Sequence, residues 1–298
     1  MSSDALPETL AAPSAREHGP LWFAVQRFLE NRAAVASGIF LVLLILAAIF
    51  APLFTKPDPN AQDYLTKALA FPSAEFWFGV DDIGRDFFAR IIYGARVSLS
   101  IGFLAALFSV LIGIPLGALA GYFGGWVDWL IMRIIELFSV VPPLLAAMLL
   151  GALTRGGFFT IILISALFGW VQVCLLVRAQ VRAFREKEFV RAAQALGASP
   201  AYIIRRHLIP NSLSPIIVGF VLAIPLAMML EASLSFLGIG VPPPTPSWGQ
   251  MINTGLDFMF FYWHMAVFPT AALALTVLAT TLFGDGLRDA LDPTLKGR

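Results

Sequence analysis

The 298 residues are 58% hydrophobic and only 13% charged, with a mean hydropathy of +0.81, which puts the chain in the membrane class and outside the soluble globular range. A formal net charge of +1 argues against nucleic acid as a partner, because phosphate binding needs a concentrated basic surface. The one cysteine, Cys174, lies in an apolar run, which excludes a disulfide framework, a Cys-rich metal site and a CxxC redox pair and leaves it as a packing residue.

Residues 1–33 form a polar tail without the compact basic start, short apolar core and small-residue cleavage site of a secretory signal, so the first span is expected to stay on the protein. Crossing a hydrocarbon core of about 30 Å takes roughly 20 apolar residues in a helix. Six windows meet that length, at 34–54, 97–121, 130–152, 158–177, 213–231 and 264–284, which predicts an all-α polytopic membrane protein. Pro142 and Pro143 in the third window and Pro215 and Pro225 in the fifth predict kinks. Kinks suit a moving cavity, and proline is also commoner in membrane helices generally.

Lys and Arg set the orientation. With the N-terminus inside, the inner segments carry 13 of them (Arg16, Arg27, Arg32; Arg178, Arg182, Arg185, Lys187, Arg191, Arg205, Arg206; Arg288, Lys296, Arg298). The outer ones carry 6 (Lys56, Lys67, Arg85, Arg90, Arg96, Arg155), so both termini, including the tail 285–298, are expected in the cytoplasm.

Two outer connections are long. In 55–96, Asp82 is expected to cap a helix whose Phe87, Phe88, Ile91, Ile92 and Ala95 form an apolar stripe, with Arg90 and Arg96 off it, lying along the membrane surface. Asp81, Asp82 and Asp86 lack the EF-hand ligand spacing and read as capping and solvated residues. The connection 232–263 contains GIGVPPPTPSWGQMI, whose prolines favour extended backbone that must pack on protein or face water.

The inner connection 178–212 is charged and Ala-rich. Glu188 to Leu196 favours helix, and Gly197 is the residue expected where that helix stops. Ser199 offers an N-cap, Pro200 fits the first helical position, and a second helix through Tyr202 to Arg205 is expected to end at Pro210. Ala192, Ala193 and Leu196 make a small smooth patch ringed by Arg185, Lys187 and Arg191, the shape of a helix that docks in a partner's groove. A basic loop that only fixes topology, or one that meets anionic lipid, is the plainer reading.

RAAQALGASPAYIIRRHLIPN resembles the EAA loop of the membrane subunits of binding-protein-dependent ABC importers. Ala192, Ala193, Gly197 and Pro210 fall on that pattern; Arg191 replaces its Glu, His207 its Ile and Ile209 its Leu. FGVDDIGRDFFARIIYGARVSL, which holds Gly79, Asp81, Asp82, Gly84, Arg85 and Asp86, is similar to the outer-loop signature of the dipeptide/oligopeptide/nickel permeases of the second-subunit type, with Val80 in place of Thr. GYFGGWVDWLIMRIIELF with VPP at 141–143, FLGIGVPPPTPSWGQMI and GDGLRDALDP resemble further blocks in order, from about residue 22 onward.

The resemblance implies a type I importer permease in a bacterial inner membrane. It implies pairing with a homologous permease, two cytoplasmic ATPases, an extracytoplasmic binding protein, and transport of short peptides or, second, nickel chelates or other small polar solutes. None of the four lysines is followed by Ser or Thr, so the chain has no phosphate-binding GKS/T loop; no cofactor of its own is expected, and ATP and Mg would be bound by the partners.

Charges in or beside spans point to a transport path. Arg133 and Glu136, at i, i+3, suit a local ion pair, while Glu231 and His264 suit interfacial solvation or a gate. Asp285, Arg288 and Asp289 suit a partner network or the end of the last helix. His18, His207 and His264 form no HExxH motif. An ion-gradient carrier remains the alternative, opposed by the lack of any acid at the centre of a window.

Overall fold

Long apolar runs decide the architecture, because in lipid only a helix satisfies every backbone N–H and C=O within its own segment. The computed structural model describes residues 20–55, 58–154 and 156–291; the tail residues on either side, with Lys56, Pro57 and Arg155, lie outside them, and so do His18, Arg16, Lys296 and Arg298. In chain order the helices are α1 (Pro20–Glu30), α2 (Arg32–Ile49), α3 (Ala51–Phe54), α4 (Phe87–Phe123), α5 (Gly125–Val140), α6 (Pro143–Thr154), α7 (Phe158–Arg185), α8 (Glu188–Ala195), α9 (Pro200–Ile203), α10 (Ile209–Asn211), α11 (Leu213–Phe236), α12 (Trp248–Phe258) and α13 (His264–Leu291). Among the described residues there is no strand, only an isolated bridge between Val80 and Asp86.

Five helices (α2, α4, α7, α11, α13) are long and apolar enough to span a membrane, and α5 with α6 makes a sixth crossing bent by 81°. The expected kink at Pro142 and Pro143 is thus a full break. Val141 takes the extended backbone that a following proline imposes, and Pro143 restarts the helix where a missing N–H costs nothing. The bent pair still crosses from one end of the bundle to the other. Gly124 sits beside Arg185, whereas the Gly157 amide donates to the Gly240 carbonyl at the opposite end.

The expected surface helix in 55–96 does not exist as a separate element. Its stripe is the first third of α4, 37 residues without a break, and the cap is Asp86, whose carboxylate accepts from the Ala89 amide, not Asp82. Phe87 and Ile91 pack on Met251 and Met265, and Ala95 on Met228 and Trp248, so the stripe faces α11, α12 and α13 instead of lipid heads. Pro225 is absorbed inside α11, and Pro215 sits in its first turn, where amides lack intrahelical partners, so neither breaks the fifth span. The connection 232–263 is not extended throughout, since it contains α12, capped by the Ser247 hydroxyl on the Gln250 amide.

The tightest packing is between α4 and α7. A Cβ on Gly117 would stand 2.5 Å from the Cys174 carbonyl oxygen, and one on Gly121 2.7 Å from that of Arg178, so glycine at four-residue spacing lets the two backbones touch. Without a hydrophobic force between helices in lipid, such close contact is the main source of association. Next to this seam, Arg178 donates to both carboxylate oxygens of Asp128 at 2.5 and 2.6 Å, tying α7 to α5. Cys174 is buried in the same region, as a packing residue should be.

Candidate coupling hairpin and translocation path

The segment 186–212 forms the paired helices that its turn chemistry predicts. Gly197 adopts φ +79°, which a side chain would resist, and its amide closes the end of α8 on the Gln194 carbonyl. Ser199 then caps α9 by accepting from the Tyr202 amide, with Pro200 at the first helical position. Pro210 does not end this second arm. The chain passes through a π turn at Ile204–Leu208 into α10, and Ser212 hands its backbone bonds to the start of α11, so the arm runs almost without interruption into the fifth span.

One face of the hairpin is anchored and the other is open. Val190, Ile203, Ile204 and Leu208 are buried with Ala118 and Tyr122 of α4, Val173, Val177 and Val181 of α7, and Ile216 of α11. Ala193 rests against this cluster, while Ala192 faces outward, so the expected Ala patch is divided between the two faces. Leu196 is 88% exposed at the tip, flanked by exposed Phe189 and Tyr202, and Ala201, Tyr202, Arg205 and Arg206 line a shallow cleft. Arg191, which replaces the acid of the pattern, pairs with Glu186 at 3.2 Å on the surface. His207 lies against the rings of Phe189 and Tyr202.

At the opposite end, polar groups read from sequence as solvated are buried. Asp81 accepts from the Ile83 and Arg85 amides at 3.1 and 2.8 Å and from the Arg85 side chain at 2.5 Å, so it organises the turn instead of meeting water. Arg90, placed off the stripe by sequence, is 1% exposed; it donates to Asn60 at 2.8 Å and Pro244 at 3.4 Å and stands 3.7 Å from Asp81. Gly79 (φ +83°) and Gly84 (φ +81°) let this turn close onto His264 and Leu65 respectively. Asp82 keeps a longer contact with Arg85, at 3.9 Å.

Glu231 is fully buried, not at an interface. It accepts from Ser98 at 3.3 Å and Ser235 at 2.7 Å, and Ser98 in turn accepts from the Trp248 amide at 3.3 Å, which links α4, α11 and α12. His264 is likewise buried, among the rings of Phe71, Phe87 and Tyr262. Neither position fits solvation.

The remaining candidates stay apart. Arg133 and Glu136 form a half-exposed i, i+3 pair at 2.6 Å on α5, and Pro142 and Pro143 lie at the exposed break after it, so these are not joined to Glu231. Asp285, Arg288 and Asp289 are exposed in the closing turns of α13, which ends at Leu291, with Arg288 in the last turn, as expected of residues at the end of the last helix. Sequence reasoning missed the Arg178–Asp128 pair and the Gly113, Gly117, Gly121 seam, although glycines four apart in an apolar run were there to be read.

Residues 113–297 match the sequence model of the binding-protein-dependent transport system inner membrane component. The chain belongs to that family. Residues 20–72 match the N-terminal transmembrane domain of oligopeptide transport permease C. Among curated relatives, the oligopeptide transport system permease protein OppC of Bacillus subtilis is 39% identical, over 98% of this chain and 99% of its own. The dipeptide transport system permease protein DppC of the same organism is 42% identical, over 92% and 85%. The glutathione transport system permease protein GsiD of Pectobacterium atrosepticum is 41% identical, over 91% and 90%.

In structure, a chain of the inward-facing MetNI methionine ABC transporter matches with a TM-score of 0.54 at 18% identity, covering 68% of this chain and 96% of that one. The fold is that of a type I importer permease. As a family member, the chain is a multi-pass membrane transport component and not an enzyme.

Proposed function

We propose that this chain forms half of the translocation pathway of an ATP-driven importer for short peptides, in partnership with a homologous permease, two cytoplasmic ATPases and an extracytoplasmic binding protein. The observation that carries the reading is the near full-length similarity to permeases named for oligopeptide, dipeptide and glutathione transport, together with a hairpin that is anchored on one face and open on the other. In this reading ATP and Mg are bound by the ATPases, in keeping with the lack of a GKS/T loop in this sequence. Both termini and the hairpin lie in the cytoplasm of a bacterial inner membrane, in keeping with the 13 to 6 division of basic residues.

In this reading Leu196, Phe189 and Tyr202 enter a groove on the ATPase, and Arg205 and Arg206 set the orientation. Movement of the hairpin reaches the bundle by two routes. One is the nearly continuous helix from α9 into α11; the other is the aliphatic cluster shared with α4 and α7. Tilting these helices changes which side the cavity opens to, and family membership replaces the ion-gradient carrier as the energy source. The test is uptake of a labelled dipeptide into proteoliposomes holding the complete complex. Uptake should need ATP and the binding protein, and Leu196→Asp, on the open face, should reduce it at least tenfold with all subunits still assembled. Uptake driven by a proton or sodium gradient without nucleotide would refute the proposal.

A further inference from the structure

The first span is the most apolar-exposed part of the bundle. α2 has a hydropathy of 2.4, yet only 17% of it is buried within the chain, so most of its surface must meet hydrocarbon or another subunit. One stretch is shaped: Val35, Gly38, Ile39, Val42 and Leu43 of α2, with Phe28 and Leu29 of α1, line a groove of about 310 Å³ with apolar walls throughout. From Val35 to Leu43 it runs about 12 Å at 1.5 Å per residue, most of one leaflet's share of a roughly 30 Å hydrocarbon core.

Beyond the N-terminal end of the groove, α2 begins with a basic residue. Arg32 is three residues before Val35 and seven before Ile39, hence on the same face of α2, and it is exposed at the end where the groove opens. Asn31 caps α2 by accepting from the Ala34 amide, so the chain turns there, and α1 is a separate helix. On α1, Trp22, Val25 and Leu29 recur at helical spacing and are exposed, with the polar Gln26, four residues after Trp22, beside them. Phe28 holds α1 to the bundle against Phe283 of α13, with ring centroids 5.3 Å apart. A helix of this kind lies in the plane of the membrane interface, where headgroups give way to acyl chains.

We propose that the α1–α2 elbow binds one acidic phospholipid, with an acyl chain along the Val35–Leu43 groove and the headgroup phosphate on Arg32. A ligand with hydrocarbon at one end and phosphate at the other matches both parts of the site, which a purely apolar protein surface would not. The planar guanidinium presents paired donors to phosphate oxygens. An acidic headgroup is therefore preferred to a zwitterionic one, which brings its own cation. The site uses α1 and α2 alone and does not depend on what the complex transports.

The test is native mass spectrometry of the complete complex after exchange into dioleoylphosphatidylglycerol or dioleoylphosphatidylcholine. The acidic lipid should be retained about tenfold better. Arg32→Gln should remove most of that preference, Arg32→Lys should restore part of it, and Val42→Trp, which fills the groove, should lower retention of both lipids. Leu153→Trp, on an exposed face of α6, should change neither. On the unaltered complex, a photoactivatable acidic phospholipid should label residues 35–43. Equal retention of the two lipids, retention unaffected by Arg32→Gln and Val42→Trp, or labelling that falls elsewhere would overturn the site, as would a protein subunit crosslinked at Val42.

Discussion

The two ends of the bundle are built from different materials. At the loop end, Arg90, Asp81, Glu231, Ser98 and the Trp248 indole are buried and joined by directional hydrogen bonds, including Trp248 Nε1 to the Ile91 carbonyl at 3.0 Å. At the hairpin end the contacts under α8 to α10 are almost all aliphatic, and the outer face offers Leu196, Phe189 and Tyr202 to solvent. Directional bonds in a low-dielectric interior hold one geometry and penalise departures from it, whereas methyl groups can slide over one another at modest cost. These contacts suit the loop end to the part of a frame and, in the proposed cycle, the hairpin end to that of a moving joint.

That contrast can be broken at the frame first. Arg90→Ala should cost about 3 to 5 kcal/mol, because it leaves Asn60 and the Pro244 carbonyl without a donor and weakens the buried charge balance at Asp81. Thermal unfolding of the purified complex reads it, and an unshifted midpoint would contradict the frame. Next comes the seam between the ends: Gly117→Leu places a side chain where 2.5 Å is available and should destabilise by about 1 to 3 kcal/mol or prevent assembly, read as subunit recovery.

Smaller effects sharpen the other side. Ser199→Ala removes the cap of α9 and should cost about 1 kcal/mol, seen as faster amide exchange at Tyr202 with slower exchange sites in the bundle unchanged. Leu196→Asp should move the unfolding midpoint least, by less than about 0.5 kcal/mol, since the side chain touches little in this chain. Its effect should instead be on ATP-driven uptake. Loss of stability without loss of uptake would reverse the roles assigned to the two ends.

What sequence could show tracks how local the signal is. The six apolar windows and the Gly197–Ser199–Pro200 turn were legible because each is decided by a few neighbouring residues. The loop end was not. Arg90 meets Pro244 across 154 positions, and the stripe of Phe87, Ile91 and Ala95 announces an apolar partner without saying whether it is lipid or helix. Glu231 was misplaced for the same reason, since Ser98, Ser235 and Trp248, which build its bonded surroundings, come from three separate elements. The break at Pro142–Pro143 was readable as a kink, but its 81° angle depends on how α6 packs against α7 and α11.

One consequence follows from α4 being continuous from Phe87 to Phe123. At 1.5 Å per residue it measures about 55 Å, well beyond a hydrocarbon core of roughly 30 Å. Phe87 is set in the loop-end core and Tyr122 in the cluster beneath the hairpin, so a single beam has a foot in each. In the proposed cycle a nudge given to either foot would travel along this one axle, with Pro115, which lacks the amide for an i−4 bond, as the place where it can flex.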